Sequence, residues 1–122
     1  MVGTMTNVHH AIDYIELPAQ DLPSTRAFYE KAFGWQFTEY GPQYAGIRSP
    51  SGEGEVGGLD GTAGQSRRAP LVLLYSDDLD ASVRAVRAAG GTVTQGPYEF
   101  PGGRRFHFTD PGGIELGVWA AS

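Results

Sequence analysis

Three histidines are the side chains of this sequence best suited to proton transfer or metal ligation, and their spacing limits both uses. His9 and His10 are adjacent, and neighbouring side chains of an extended segment point to opposite faces, so the pair is poorly placed to share one ion. A solvated N-terminal segment is the expectation for them. His107 stands between Phe106 and Phe108 in a strand-like run. An imidazole there suits acid/base work, but its aromatic flanks point first to a hydrogen-bonded structural residue. There is no cysteine, which excludes thiol chemistry, disulfides and thiolate metal sites. No nucleophile and base stand at a recognisable catalytic spacing.

The elements that must position these residues are written twice. Asp21-Leu22 and a helical run closing at Gly34 recur, 57 residues later, as Asp78-Leu79 and a helical run closing at Gly91. Ser49-Pro50-Ser51-Gly52 recurs as Asp110-Pro111-Gly112-Gly113. Two long copies are not a solenoid, whose short units need about three or more repeats to bury a core. They predict two halves packed about a pseudo-twofold, with a cleft between equivalent sheets.

In the first half, residues 11–18 alternate as a strand. Asp21 sits where an N-cap belongs, with Pro23 tolerated in the first turn. The helix runs through Phe28, Tyr29 and Phe33, with Phe28 and Phe33 expected to face the sheet, and Gly34 supplies its left-handed stop. Strands are expected at 35–40, 44–48 and 55–59. Residues 61–69 read as a linker. In the second half, 70–75 is a buried strand, Asp78 caps, and Leu79, Val83, Val86 and Gly90 form one helical face. Strands follow at 92–94, 104–109 and 114–119, with 97–103 as a loop. The fold class is α+β: two βαβββ modules, about 8–60 and 70–120, forming curved mixed sheets around a cleft within a single domain spanning 1–122.

Composition bounds the partners. The 122 residues carry a net charge of -5 and adjacent basic pairs only at Arg67-Arg68 and Arg104-Arg105, which argues against nucleic acid. No apolar run approaches the ~18 residues of a membrane helix, and the N-terminus has no secretory pattern. A cytoplasmic protein with no membrane partner is expected.

The run Asp21-Leu22 with Ala27-Phe28-Tyr29-Glu30-Lys31-Ala32-Phe33-Gly34-Trp35, and the later Phe108-Thr109-Asp110-Pro111-Gly112-Gly113, resemble the signatures of the vicinal oxygen chelate superfamily. That superfamily includes glyoxalase I, extradiol dioxygenases, fosfomycin-modifying enzymes, methylmalonyl-CoA epimerase and bleomycin resistance proteins. The resemblance covers about Ala11 to Trp119 and implies the paired-module fold and a homodimer. It does not imply one activity, since a fold hosts many chemistries.

Most enzymes of that superfamily hold a divalent metal through the first and last strands of each module. The resemblance places the corresponding positions here at Tyr14, Val56, Leu71 and Gly117, and none is an ordinary ligand. Glu115 would reach its position only through a turn shortened by two residues. Glu55 would need a one-residue slip, which turns a strand side chain to the opposite face. No metal site and no cofactor are therefore expected.

Taking those positions as facing the cleft, strand parity sends Tyr14, Glu16 and Pro18 inward and Ile15 and Leu17 against the helix. It also sends Leu71, Leu73, Tyr75, Glu115 and Trp119 inward. The candidate ligand-binding residues are thus Tyr14, Glu16, Leu71, Leu73, Tyr75, Glu115 and Trp119, an aromatic and apolar lining with two carboxylates. Inward carboxylates are costly unless paired, and Arg104, Arg105, His107 or a cationic ligand could pair them. The expectation is metal-independent binding of a small aromatic or basic molecule. The alternative is a lyase, isomerase or dioxygenase-type enzyme using Glu16, Glu115 or His107; catalytic residues are not assigned.

A native-state metal would add to folding stability. EDTA is therefore expected to leave the Tm of the purified protein unchanged. A sharp fall in Tm, reversed by one added divalent metal, would contradict the ligand-position reading.

Overall fold

Short runs rich in branched and aromatic residues, each punctuated by a capped helix or a glycine turn, fold as strand, helix and three strands, twice over. The computed structural model describes residues 7–62 and 69–122. They fall into two compact units, Tyr14–Pro70 and Asn7–Asp13 with Leu71–Ser122. Residues 63–68 of the expected linker, with Arg67-Arg68, lie outside the described residues.

The first unit holds most of β1 (Ile12–Pro18), then α1 (Leu22–Phe33), β2 (Phe37–Glu39), β3 (Tyr44–Arg48) and β4 (Glu55–Asp60). Its strands lie in the order β2-β3-β4-β1, with β1 and β4 parallel and the other pairs antiparallel. The Asp21 carboxylate accepts from the Ser24 amide at 3.3 Å, and Gly34 ends α1 at φ 70°, a conformation glycine adopts without a Cβ penalty. Ala19, Leu22, Phe37, Ala45, Ile47 and Leu59 form the core, with Leu17, Tyr29 and Trp35 against it.

The second unit comprises β5 (Leu71–Tyr75), α2 (Leu79–Ala88), β6 (Thr92–Phe100), β7 (Gly103–Thr109) and β8 (Glu115–Ala120), in the sheet order β5-β8-β7-β6. Asp78 caps α2 by accepting from the Ala81 amide at 3.1 Å. Leu79, Val83, Phe106, Val118 and Ala120 are its core, with Leu74, Val86, Val93 and Phe108 alongside. The fold is α+β with mixed sheets, and the element order is βαβββ in each half.

Several expectations need correction. Phe28 and Phe33 do not face the sheet; they are 56% and 65% exposed. At about 100° per residue, Tyr29 returns to the face of Leu22, whereas Phe28 is turned well away from it. Phe33 lies on the last turn, where its ring meets those of Phe28, Tyr29 and Trp35. Trp35 is not in a strand but stacks on Tyr29 at 4.5 Å, leaving β2 to start at Phe37. Ile15, expected against the helix, is 41% exposed, and only Leu17 of that pair reaches the core.

Residues 97–103 are mostly strand rather than loop. β6 continues to Phe100 through register irregularities between Val93 and Gln95 and between Gln95 and Tyr98, then pairs Tyr98 with Arg105 and Phe100 with Gly103. The N-terminal segment is not merely solvated. His10 donates its backbone N–H to Tyr75 O at 2.6 Å and Tyr75 returns one to Ala11 O at 3.1 Å, so residues 7–13 join the second unit. The His9 and His10 rings stack at 3.7 Å because His10 takes φ 65°, which breaks the alternation of an extended chain. His9 Nδ1 accepts from the Asp77 amide at 2.8 Å, and His10 Nε2 lies 3.2 Å from Ser82 Oγ.

The exposure of these aromatics predicts a contrast in stability. Phe28→Ala is expected to cost under about 1 kcal/mol, whereas Phe106→Ala, at 0% exposure, is expected to cost about 3–5 kcal/mol. Urea denaturation of the two variants checks this, and equal losses would contradict the assigned helix face.

Candidate functional site

In each unit the helix covers one face of the sheet, and the two-residue strand period sends alternate side chains to the other face. In the first unit Leu17, Ala45, Ile47 and Leu59 meet the core. Tyr14, Glu16, Tyr44, Gly46 and Gly58 therefore occupy the opposite face. Glu16 is directly across from Gly58, and Gly58 from Gly46.

The glycines leave room for long side chains laid flat on the sheet. A Cβ on Gly58 would collide with the Tyr44 hydroxyl, and one on Gly46 with the Glu55 carboxylate. Glu55 reaches this face because the ladder shifts between Ile47 and Arg48, pairing Arg48 with Glu55 while Ile47 pairs with Gly57. The expected opposite facing of Glu55 is thus corrected, and Val56 becomes the odd residue, 39% exposed.

A polar chain crosses the face. Tyr44 donates to Glu16 Oε2 at 3.1 Å, and the Tyr14 and Tyr44 hydroxyls are 2.8 Å apart. Each phenol has one hydrogen, so Tyr14 donates to Tyr44 and Tyr44 to Glu16. Glu16 is only 7% exposed, and these bonds offset the cost of burying a carboxylate. Tyr40 similarly donates to Glu55. Burial pushes the Tyr14 and Tyr44 phenols well above their ordinary value, and the Glu16 charge adds to the effect on Tyr44. Tyr40 is raised by its bond to Glu55.

In the second unit, the face away from α2 carries Leu71, Leu73 and Tyr75 from β5, Glu115, Gly117 and Trp119 from β8, and Arg105 and His107 from β7. Leu73, Gly117 and His107 lie at one level of the ladder, and Tyr75, Trp119, Arg105 and Tyr98 at the next. Leu71 and Leu73 are buried, Leu73 lying where a Gly117 side chain would be. Trp119 is half-buried, meeting the Tyr75 ring edge to face at 5.0 Å and the Phe100 ring at 6.2 Å. The Arg105 guanidinium lies over Tyr98 and Phe100, at 5.9 and 5.7 Å.

His107 is buried at 2% exposure in a polar set of its own. Its Nε2 lies 3.0 Å from the Tyr98 hydroxyl and 3.2 Å from Arg105, and its Nδ1 lies 3.2 Å from Glu115 Oε2. A guanidinium can only donate, so Nε2 accepts and the proton on Nδ1 is donated to Glu115. The Glu115 side chain remains 39% exposed, on the same strand face as Trp119 and four residues before it on β8.

The expected lining residues thus divide by unit. Tyr14 and Glu16 meet through Tyr44 in the first; Leu71, Leu73, Tyr75, Glu115 and Trp119 share one face of the second. Sequence reasoning missed Tyr44, Tyr40, Tyr98 and Phe100, and weighed Glu55 only as a metal ligand. Gly46, Gly57 and Gly58, placed inside strands, were the available signal of a close approach. Among the described residues, no three His, Cys, Asp or Glu side chains come together to hold a metal ion. The positions where the resemblance places the superfamily's metal ligands hold Tyr14, Val56, Leu71 and Gly117, none an ordinary ligand, so these residues do not fit that metal.

A phenol held above its unfolded pKa keeps its proton in the folded protein where the unfolded chain has lost it. Stability from Tyr14 and Tyr44 is intact below about pH 10 and declines as pH rises above it. Tyr14→Phe/Tyr44→Phe is expected to be less stable by roughly 1–2 kcal/mol near neutrality, through lost hydrogen bonds, but to decline less steeply in alkali. Urea midpoints across that range check this; parallel declines would contradict it.

Comparison with known proteins agrees with this geometry. The family model of the Glyoxalase/Bleomycin resistance protein/Dioxygenase superfamily matches residues 11–118. The chain is 30% identical over 123 residues to the anthracycline biosynthesis protein DauV of Streptomyces sp. (strain C5), covering 93% of this chain and 42% of that protein. It therefore spans less than half the length of this relative. The Mn(II)-bound glyoxalase from Novosphingobium aromaticivorans superposes with TM-score 0.67 at 24% identity, over 96% of this chain and 40% of that one. Streptomyces coelicolor methylmalonyl-CoA epimerase, in complex with 2-nitronate-propionyl-CoA, does so with TM-score 0.67 at 17% identity, over 94% and 99%. At these identities the two structures speak to fold alone. With strand order, capped helices and family match in agreement, the chain belongs to the Glyoxalase/Bleomycin resistance protein/Dioxygenase superfamily.

Proposed function

We propose that this protein binds a small planar aromatic molecule, preferentially a basic one, without a metal or other cofactor, and works as a cytoplasmic homodimer. The observation that carries the reading is the cluster of Tyr75, Trp119 and Phe100, with Glu115 on the same strand face four residues before Trp119. Half-buried aromatic rings offer π surface to a flat ligand, and cations are attracted to that surface by about 0.5–2 kcal/mol depending on desolvation. Glu115 adds a charge-assisted hydrogen bond that a neutral isostere cannot make. Leu71 and Leu73 floor the same face. The similarity to a protein of anthracycline biosynthesis is consistent with a planar polycyclic ligand.

Tyr14 and Glu16 take a different part in this reading. Glu16 is buried and already accepts from Tyr44, so it shapes the first unit's face rather than meeting the ligand's charge. The bond from His107 Nδ1 to Glu115 supports a second reading, in which Glu115 is the base of a lyase or isomerase and His107 holds it in place. Its discriminating outcome is turnover of a bound compound.

Basic aromatic compounds are screened against neutral isosteres by Trp119 fluorescence, in a Trp35→Phe background that leaves one tryptophan. Cationic members are expected to bind more tightly. Glu115→Gln is expected to weaken them roughly tenfold, and Glu16→Gln to leave the preference unchanged. Equal binding of cationic and neutral members, or no effect of Glu115→Gln, would remove the carboxylate from recognition.

A further inference from the structure

The Trp119 indole is not a free hydrogen-bond donor. Its Nε1–H donates to Asp13 Oδ2 at 2.9 Å, across 106 residues of sequence. Asp13 is held in turn, because Asn7 Nδ2 donates to its other oxygen at 3.0 Å. Both residues belong to the 7–13 segment, which is fixed to the second unit by the backbone bonds between His10, Ala11 and Tyr75. Tyr75 is also the ring that meets Trp119 edge to face at 5.0 Å. One short strap therefore anchors two of the three aromatics of the face, Trp119 and Tyr75.

We infer that Asp13 is the specificity-determining residue of the aromatic face, which it tunes through Trp119 to prefer electron-poor planar ligands. The inference rests on the binding role proposed above and names the class of ligand. Two consequences of the Asp13 bond carry it. With its N–H occupied, the indole can recognise a ligand only through its ring, so an acceptor group on the ligand gains nothing there. A carboxylate accepting from an indole N–H also pushes electron density into the ring, strengthening the negative potential of the π face. Such a face favours rings depleted of electrons by carbonyl substituents or by a positive charge, and disfavours electron-rich hydrocarbons of the same shape. Asp13 does not touch the ligand; it acts by orienting and polarising Trp119.

The test uses two neutral bicyclic probes of similar outline, naphthoquinone and naphthalene, so that Glu115 contributes no charge pairing. The chain has no cysteine, so the quinone cannot form thiol adducts. Affinities are measured by equilibrium dialysis for the wild-type protein, Asp13→Asn and Asp13→Ala, with the Trp119 indole proton followed by NMR. The wild-type protein is expected to prefer the quinone by about tenfold. Asp13→Asn keeps an acceptor at the indole but removes the charge, and is expected to reduce the preference to within about threefold while retaining binding. Asp13→Ala is expected to lose the preference and to shift the indole proton upfield. Equal wild-type affinities for the two probes would overturn the inference and leave the binding role standing. An undiminished quinone preference in both variants, with the indole proton shifted, would also overturn it. Failure of both probes to bind the wild-type protein would overturn the inference and the binding role together.

Discussion

The two-residue period of an extended backbone assigns every strand side chain here to one of two faces, and one helix per unit can cover only one of them. The covered face fills with Ala45, Ile47 and Leu59 in the first unit and with Phe106, Val118 and Ala120 in the second. What stands on the other face is free of the demands of that core. It accumulates tyrosines, carboxylates, an arginine, a histidine and a tryptophan, the residue types that recognise ligands.

Removing such groups from water is possible only where each finds a partner. The first unit solves this with phenols, passing hydrogen bonds from Tyr14 through Tyr44 to Glu16. The second uses a buried imidazole whose proton is directed to Glu115 by the donor-only guanidinium of Arg105. Both solutions engage these polar groups in bonds within their own unit. The second unit also carries half-buried aromatic surface at Tyr75, Phe100 and Trp119, and this is the physical basis for reading the protein as a binder of flat molecules.

Much of this was legible in the sequence. Asp21 and Asp78 as caps, Gly34 as a stop, and the doubled order of elements follow from local chemistry that tertiary packing did not override. Parity along β5 and β8 put Leu73, Tyr75 and Trp119 on one face because those strands are regular. Parity failed where the ladder is irregular. The shift at Ile47 and Arg48 brought Glu55 to the face from which simple alternation removed it. The helix face failed for a different reason: Phe28 is apolar, but it lies one step round from the stripe through Leu22 and Tyr29. The strap of residues 7–13 was invisible, since its partners Tyr75, Asp77, Ser82 and Trp119 are remote in sequence.

The central claim is that ligand recognition resides on the second unit's aromatic face and needs no metal. The chain has two tryptophans, one on that face and one, Trp35, packed against the first unit's core. The most direct measurement is a titration of indole-labelled protein by two-dimensional NMR, in EDTA, with a planar cationic aromatic compound. Saturable movement of the Trp119 indole signal is expected, while that of Trp35 stays in place. Movement of Trp35 alone, or movement of Trp119 only after a divalent metal is restored, would contradict it.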